Sequence, residues 1–144
     1  MVVGDGLLKL KYIIPSRSDL SAAGEASSNV KKKLIQLGID PAVIKKTSIS
    51  MYEAEINAVI HANGGEADVE IGNGKITVRI SDNGPGIPDV DLAMQEGYST
   101  ASDEIREMGF GAGMGLPNIK RYSDDLKIET EVGKGTTLII TVFY

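Results

Sequence analysis

The sequence predicts an α+β fold: a two-layer sandwich in which helices cover one face of a mixed, mostly antiparallel sheet. Two observations carry that prediction. Alternating apolar and polar residues flank two tight-turn signals, Gly72-Asn73-Gly74 and Gly133-Lys134-Gly135, giving two hairpins. The elements are also grouped, as strand, helix, helix, hairpin, loop, helix, hairpin, rather than alternating as in a parallel doubly wound sheet.

Each element follows from local chemistry. Leu7 to Ile14 partly alternates between Gly6 and Pro15 and reads as a strand. Ser18 or Asp19 can cap a helix running to about Leu37, where Gly38 stops it. Asp40-Pro41 supplies a cap followed by proline at the first helical position, and that second helix extends to His61 or Ala62, ended by Asn63-Gly64-Gly65. Strands at Glu66–Ile71 and Lys75–Ser81 form the first hairpin. A short amphipathic piece, Val90–Glu96, precedes a stretch without clear periodicity from Gly97 to Gly111. A helix at Gly115–Tyr122 and strands at Leu126–Val132 and Thr136–Phe143 complete a single domain spanning 1–144.

Bulk composition narrows the function classes. The 144 residues are 42% hydrophobic and 24% charged, as in soluble globular proteins. No apolar run approaches the roughly 20 residues of a bilayer span, and the N-terminus lacks a signal-peptide pattern. With no cysteine there is neither a disulfide framework nor a thiolate metal site, so a cytoplasmic protein is the simplest expectation. A net charge of −5 argues against nucleic acid as a partner. Lys31-Lys32-Lys33, the one basic cluster, reads as a solvated helix face. An acidic protein that binds a nucleotide must use backbone amides, a helix dipole and a cation.

Three stretches carry chemistry. In Tyr52-Glu53-Ala54-Glu55-Ile56-Asn57-Ala58-Val59-Ile60-His61, residues four apart share a helix face, so Glu53, Asn57 and His61 form a polar line. Such a carboxylate can take a proton from a hydroxyl and such a carboxamide can hold Mg²⁺; the same line also fits a solvent-facing stripe. Asp82 ends a strand and opens Asp82-Asn83-Gly84-Pro85-Gly86-Ile87, where a carboxylate can accept from an exocyclic amine such as adenine's, or simply make a turn. Finally, Gly109-Phe110-Gly111-Ala112-Gly113-Met114-Gly115-Leu116-Pro117 runs into a helix start, which favours a phosphate site over a flexible cap. Gly97–Phe110, with Ser99, Thr100, Ser102 and Arg106, has the length of a lid. No Gly-Lys-Ser/Thr loop is present, which argues against a P-loop NTPase.

Together, Glu53-x-x-x-Asn57, Asp82-x-Gly84-x-Gly86, Gly111-x-Gly113-x-Gly115 and Gly135-Thr136-Thr137 resemble the motif series of the GHKL (Bergerat-fold) ATPase superfamily. The similarity runs from about Met51 to Val142 and is strongest to the anti-sigma-factor serine/threonine kinase branch. The resemblance implies ATP and Mg²⁺ as cofactors and Glu53 as general base. It makes Asn57 the Mg²⁺ ligand and Asp82 the reader of adenine, with Gly84, Gly86 and Ile87 shaping the base pocket and Thr136 supporting it. Gly111, Ala112, Gly113, Met114, Gly115 and Leu116 would line the phosphates, and Ser99 and Thr100 would belong to the lid. The activity implied is phosphorylation of a serine or threonine on a STAS-domain anti-anti-sigma protein. A sigma factor and a second copy of the chain, as a homodimer, are further implied partners.

Two features separate this from alternatives. The lid carries Asp103, Glu104 and Glu107 against Arg106, a thin basic clamp that also fits a nucleotide-dependent binding switch with little transfer. His61 lies inside the ATP motif and reads as a structural residue, so no phosphoacceptor histidine helix supports a histidine-kinase fragment.

Overall fold

The structure, a computed structural model, describes residues 7–95 and 115–144. Five strands form one sheet: β1 (Leu8–Ile14), β2 (Gly65–Gly72), β3 (Lys75–Ser81), β4 (Asp125–Glu131) and β5 (Gly135–Phe143), in the order β1-β2-β3-β5-β4. Every pairing among the described residues is antiparallel, so the expected mixed component is not found there. The helices are α1 (Glu25–Gln36), α2 (Pro41–Ala62), α3 (Val90–Ala93) and α4 (Gly115–Tyr122).

Strand alternation decides which face is covered. Ala67, Val69 and Ile71 of β2, Ile76, Val78 and Ile80 of β3, and Leu138, Ile140 and Val142 of β5 all point inward. They meet Val30 and Leu34 of α1, Met51, Ala54, Ala58 and Val59 of α2, and Leu116 and Ile119 of α4. Each such Val, Leu, Ile or Met side chain stabilises the fold by about 1.5–3 kcal/mol on burial, and each alanine by less. The opposite face is polar, with Lys9 opposite Glu70, Lys11 opposite Asp68, and Asp68 opposite Arg79. Opposite charges in cross-strand register contribute only about 0.2–1 kcal/mol each, so this face keeps itself soluble rather than holding the fold together.

α2 is the central helix, and its ends match the expectation. The Asp40 side chain accepts from the Ala42 amide at 2.9 Å, and Pro41 follows at the first helical position. At the other end Asn63 adopts a left-handed conformation (φ 60°), while its Oδ1 accepts from the Arg17 amide at 2.7 Å. The Asn63-Gly64-Gly65 turn therefore ties the segment after β1 to the end of α2.

The expected helix from Ser18 or Asp19 to Leu37 is a correction. A 3-10 stretch, Arg17–Ala22, comes first; the chain then breaks at Gly24 (φ 98°) and α1 begins at Glu25. The cap comes from elsewhere in the chain. Glu55, fully buried on α2, accepts from the amides of Gly24 at 2.8 Å, Ser27 at 3.0 Å and Ala26 at 3.3 Å. A carboxyl group is well placed there as acceptor, because the first amides of a helix are free donors carrying a partial positive charge. Glu55→Gln exchanges an acceptor oxygen for an amide that faces those donors. It should lower unfolding free energy by about 1–3 kcal/mol, read as a fall in the urea midpoint at unchanged slope.

Candidate functional site

α4 packs along α2 in antiparallel order, and contacts at both of its ends give the register. A Cβ built on Gly115 would lie 2.8 Å from Asn57 Oδ1 and 2.9 Å from its Nδ2. One turn further along α4, Asn118 comes opposite Glu53, and its side chain favours the Glu53 carboxylate. Just past α4, Asp124 pairs with Lys46 and also accepts from the Phe143 amide at 2.8 Å; the Lys46 bond is the main cause holding its carboxyl below the ordinary value. Glu53 and Asn57 thus both face α4, as the i, i+4 spacing requires.

Glu53 is half-buried, and burial raises its proton affinity above that of an ordinary glutamate, partly offset by the Asn118 side chain. Raising a carboxylate's basicity while leaving it accessible suits a proton acceptor working near neutral pH. His61, one turn beyond Asn57, is shifted the other way: burial, then the nearby Arg17 charge, lower its pKa, with Asp82 opposing them. Burial and the Arg17 charge both favour the neutral imidazole. Among the described residues no three His, Cys, Asp or Glu side chains cluster as a metal site. The Asn57 carboxamide oxygen is a group that could hold a hard cation such as Mg²⁺ alongside ligand phosphates.

The Asp82 loop sits against the C-terminal end of α2, since a Cβ on Gly84 would approach Ala62 Cβ to 2.6 Å. Asp82 Oδ1 accepts from the Gly84 amide at 2.9 Å and from the Thr136 amide at 3.1 Å, while the Asp82 amide donates to the Thr136 carbonyl at 2.9 Å. Both side-chain bonds fall on one oxygen, so the loop is held without using Oδ2. Thr136 and Thr130 hydroxyls bond at 2.9 Å, and Thr130 Oγ1 accepts from the Ile87 amide at 2.9 Å. Gly86 (φ 79°) passes over the strand end where a Cβ would lie 2.5 Å from the Glu131 carbonyl oxygen, so only glycine fits.

The structure brings Gly115 against Asn57 and Gly84 against the end of α2, with Thr136 bonded to Asp82, whereas Gly86 and Ile87 lie against Glu131 and Thr130 at the end of β4. From Glu53 to His61 the polar line of α2 is about 12 Å long at 1.5 Å per residue. The Leu116 side chain is buried in the core, so it is the backbone of Leu116 that could line a phosphate. Ser99, Thr100, Gly111, Ala112, Gly113 and Met114, with the expected lid, lie outside the described residues. An open groove includes Asp82 and Thr136 but is otherwise walled by Glu129, Thr130, Glu131, Lys134, Gly135 and Thr137. It does not reach Glu53 or Asn57, and two glutamates make it a poor place for phosphates.

Sequence reasoning missed Glu55, Thr130 and Asn118. Glu55 carried a usable signal: it lies four residues from both Met51 and Val59, on an apolar line where a charge must find partners. Thr130 and Asn118 act through tertiary contacts with no local signature.

The Gly115 contact makes a selective prediction. An alanine there meets the free end of a side chain rather than backbone, so the Asn57 carboxamide turns aside and the fold survives. Gly115→Ala should weaken Mg²⁺-ATP binding about tenfold at a thermal midpoint within a few degrees of wild type, measured by calorimetry and by circular dichroism.

A family profile described as histidine kinase-, DNA gyrase B- and HSP90-like ATPase matches residues 50–144. The chain belongs to this family. The serine/threonine-protein kinase RsbT of Bacillus subtilis is 35% identical over 124 residues, covering 83% of this chain and 85% of that one. An anti-sigma F factor of Caldanaerobacter subterraneus is 29% identical over 148 residues, covering 96% and 94% respectively. Among solved structures, the RsbU and RsbW domains of Rv1364c from Mycobacterium tuberculosis superpose with a TM-score of 0.63 at 17% identity. That match covers 94% of this chain and 32% of the solved one. The SiaB-SiaC complex from Pseudomonas aeruginosa matches with a TM-score of 0.55 at 17% identity, covering 92% and 88%. At these identities the structural matches establish the α+β fold. Among the described residues, no helix is long and apolar enough to cross a membrane.

Proposed function

We propose that this ATPase-family chain is a Mg²⁺-ATP-dependent protein serine/threonine kinase and anti-sigma regulator acting in the cytoplasm. Its acceptor is a hydroxyl on a STAS-domain antagonist protein, and a sigma factor is the second partner. The observation that carries the reading is Glu53 and Asn57 side by side on α2, with the start of α4 against Asn57 and the Asp82 loop at the helix end. Similarity to a chain named as a serine/threonine kinase supports the choice of reaction.

In this reading Asp82 Oδ2 accepts from the adenine amine while Oδ1 keeps the loop closed. The free amides at the start of α4 face the phosphates, where a helix N-terminus favours anions. Mg²⁺, when bound, spreads the negative charge of the phosphates; Asn57 is the residue that would hold it. Glu53 takes the proton of the acceptor hydroxyl as its oxygen bonds to the γ-phosphorus and the bond to the β,γ-bridging oxygen breaks, releasing ADP. Most of the rate comes from holding these groups in line.

Affinity capture from the native cell, with and without Mg²⁺-ATP, should recover a STAS-domain protein. That protein should then gain label from [γ-³²P]ATP on serine or threonine when incubated with the pure chain. Nucleotide-dependent capture with no label transferred would replace the kinase with a binding switch.

A further inference from the structure

The contact made by Glu53 extends the kinase reading, on which this inference rests. The α2–α4 register brings Asn118 opposite Glu53, and a carboxylate only accepts hydrogen bonds, so the Asn118 group able to meet it is the Nδ2 amide. This contact belongs to a pair. Glu53 and Asn57 lie one turn apart on α2; Gly115 and Asn118 lie one turn apart on α4; and the two pairs meet in antiparallel order, Asn57 on Gly115 and Glu53 on Asn118. Asn118 is half-buried, flanked by the buried Leu116 and Ile119 that root α4 in the core. Its carboxamide is thus carried on a rigid element, as a group that orients another must be.

We propose that Asn118 is a positioning residue for phosphoryl transfer: its Nδ2–H fixes the Glu53 carboxylate in the orientation that receives the acceptor proton. Asn118 itself neither gives nor takes a proton. α4 also passes close to the Asn57 carboxamide at Gly115, so one helix borders both the base and the would-be metal ligand. Any displacement of α4 therefore reaches both together.

The test is a double-mutant cycle on the full chain, using single-turnover transfer from [γ-³²P]ATP to the captured STAS-domain protein. Asn118→Ala should lower kcat about tenfold while leaving KM for ATP within about twofold. In the Glu53→Gln background the same substitution should change nothing, since the group it orients is no longer a base. Asn118→Asp keeps the shape but loses the donor, and its rate should be at or below that of Asn118→Ala. Independently of turnover, the ¹³C carboxyl signal of Glu53 should move in Asn118→Ala while signals remote from the α2–α4 contact stay in place. An equal loss in both backgrounds, a wild-type rate in either Asn118 variant, or an unmoved Glu53 signal would overturn the proposal. If the wild-type chain labels no acceptor, the kinase reading fails and takes this role with it; if only the variants behave like wild type, the kinase reading stands and this role falls.

Discussion

Glu53→Gln should transfer phosphate about 10²–10⁴-fold more slowly than wild type, the range expected for loss of a general base. Its affinity for Mg²⁺-ATP should stay within about twofold, because the interaction removed is one made with the acceptor proton in the transition state. Glutamine keeps the size of the side chain and can still accept from Asn118 through its carbonyl oxygen, so the α2–α4 contact survives. The wild-type pH profile gives a second view of the same group. Burial raises the pKa of Glu53, so its basic form is lost on acidification at a pH above the ordinary glutamate value. The acid limb of kcat should therefore lie above about 4.3, the reference for an exposed glutamate. It should vanish in Glu53→Gln. A Glu53→Gln protein that labels its acceptor at the wild-type rate would remove the residue from the mechanism.

Asp82→Asn should weaken ATP binding about 100-fold, roughly 2.7 kcal/mol, without unfolding the loop. The two backbone amides that hold the loop, those of Gly84 and Thr136, both donate to Oδ1, and an asparagine carbonyl accepts from both. What changes is the other arm: Oδ2 becomes an NH₂ group facing the donor amine of adenine, so two donors confront each other in a partly buried site. Fold and recognition therefore separate in this one isosteric change. Asp82→Ala is the contrasting control, because it removes the loop acceptor as well and should lower the thermal midpoint. Calorimetry for affinity and circular dichroism for stability distinguish the two outcomes. Wild-type affinity in Asp82→Asn would mean that the carboxylate only shapes a turn, the alternative that its Asp-Asn-Gly-Pro-Gly context left open.

How much was legible depends on whether the deciding contact was local. The ends of α2 were readable because Asp40-Pro41 and Asn63-Gly64 carry their instructions in adjacent residues. The hairpins were readable because alternation and turn chemistry repeat within a few positions. The start of α1 was not, because its cap is Glu55, about thirty residues away on another helix. The burial of the Leu116 side chain was not legible for a similar reason: the core that covers it is built from elements distant in sequence. Glu53, Asn57 and Asp82 were legible as a set because their spacing places two on one helix face and one at a strand end. Their neighbours Asn118 and Thr130 were invisible because each is chosen by packing between elements distant in sequence.

The central claim is that one pocket, at the second half of α2, reads adenine and holds a triphosphate. Titration calorimetry of the pure, folded chain with Mg²⁺-ATP, and separately with Mg²⁺-GTP, tests it most directly. Saturable heat from ATP is expected, with little from GTP, whose purine edge presents an oxygen where Asp82 needs a donor. No heat from ATP at millimolar concentration, or equal affinity for the two nucleotides, would contradict the account.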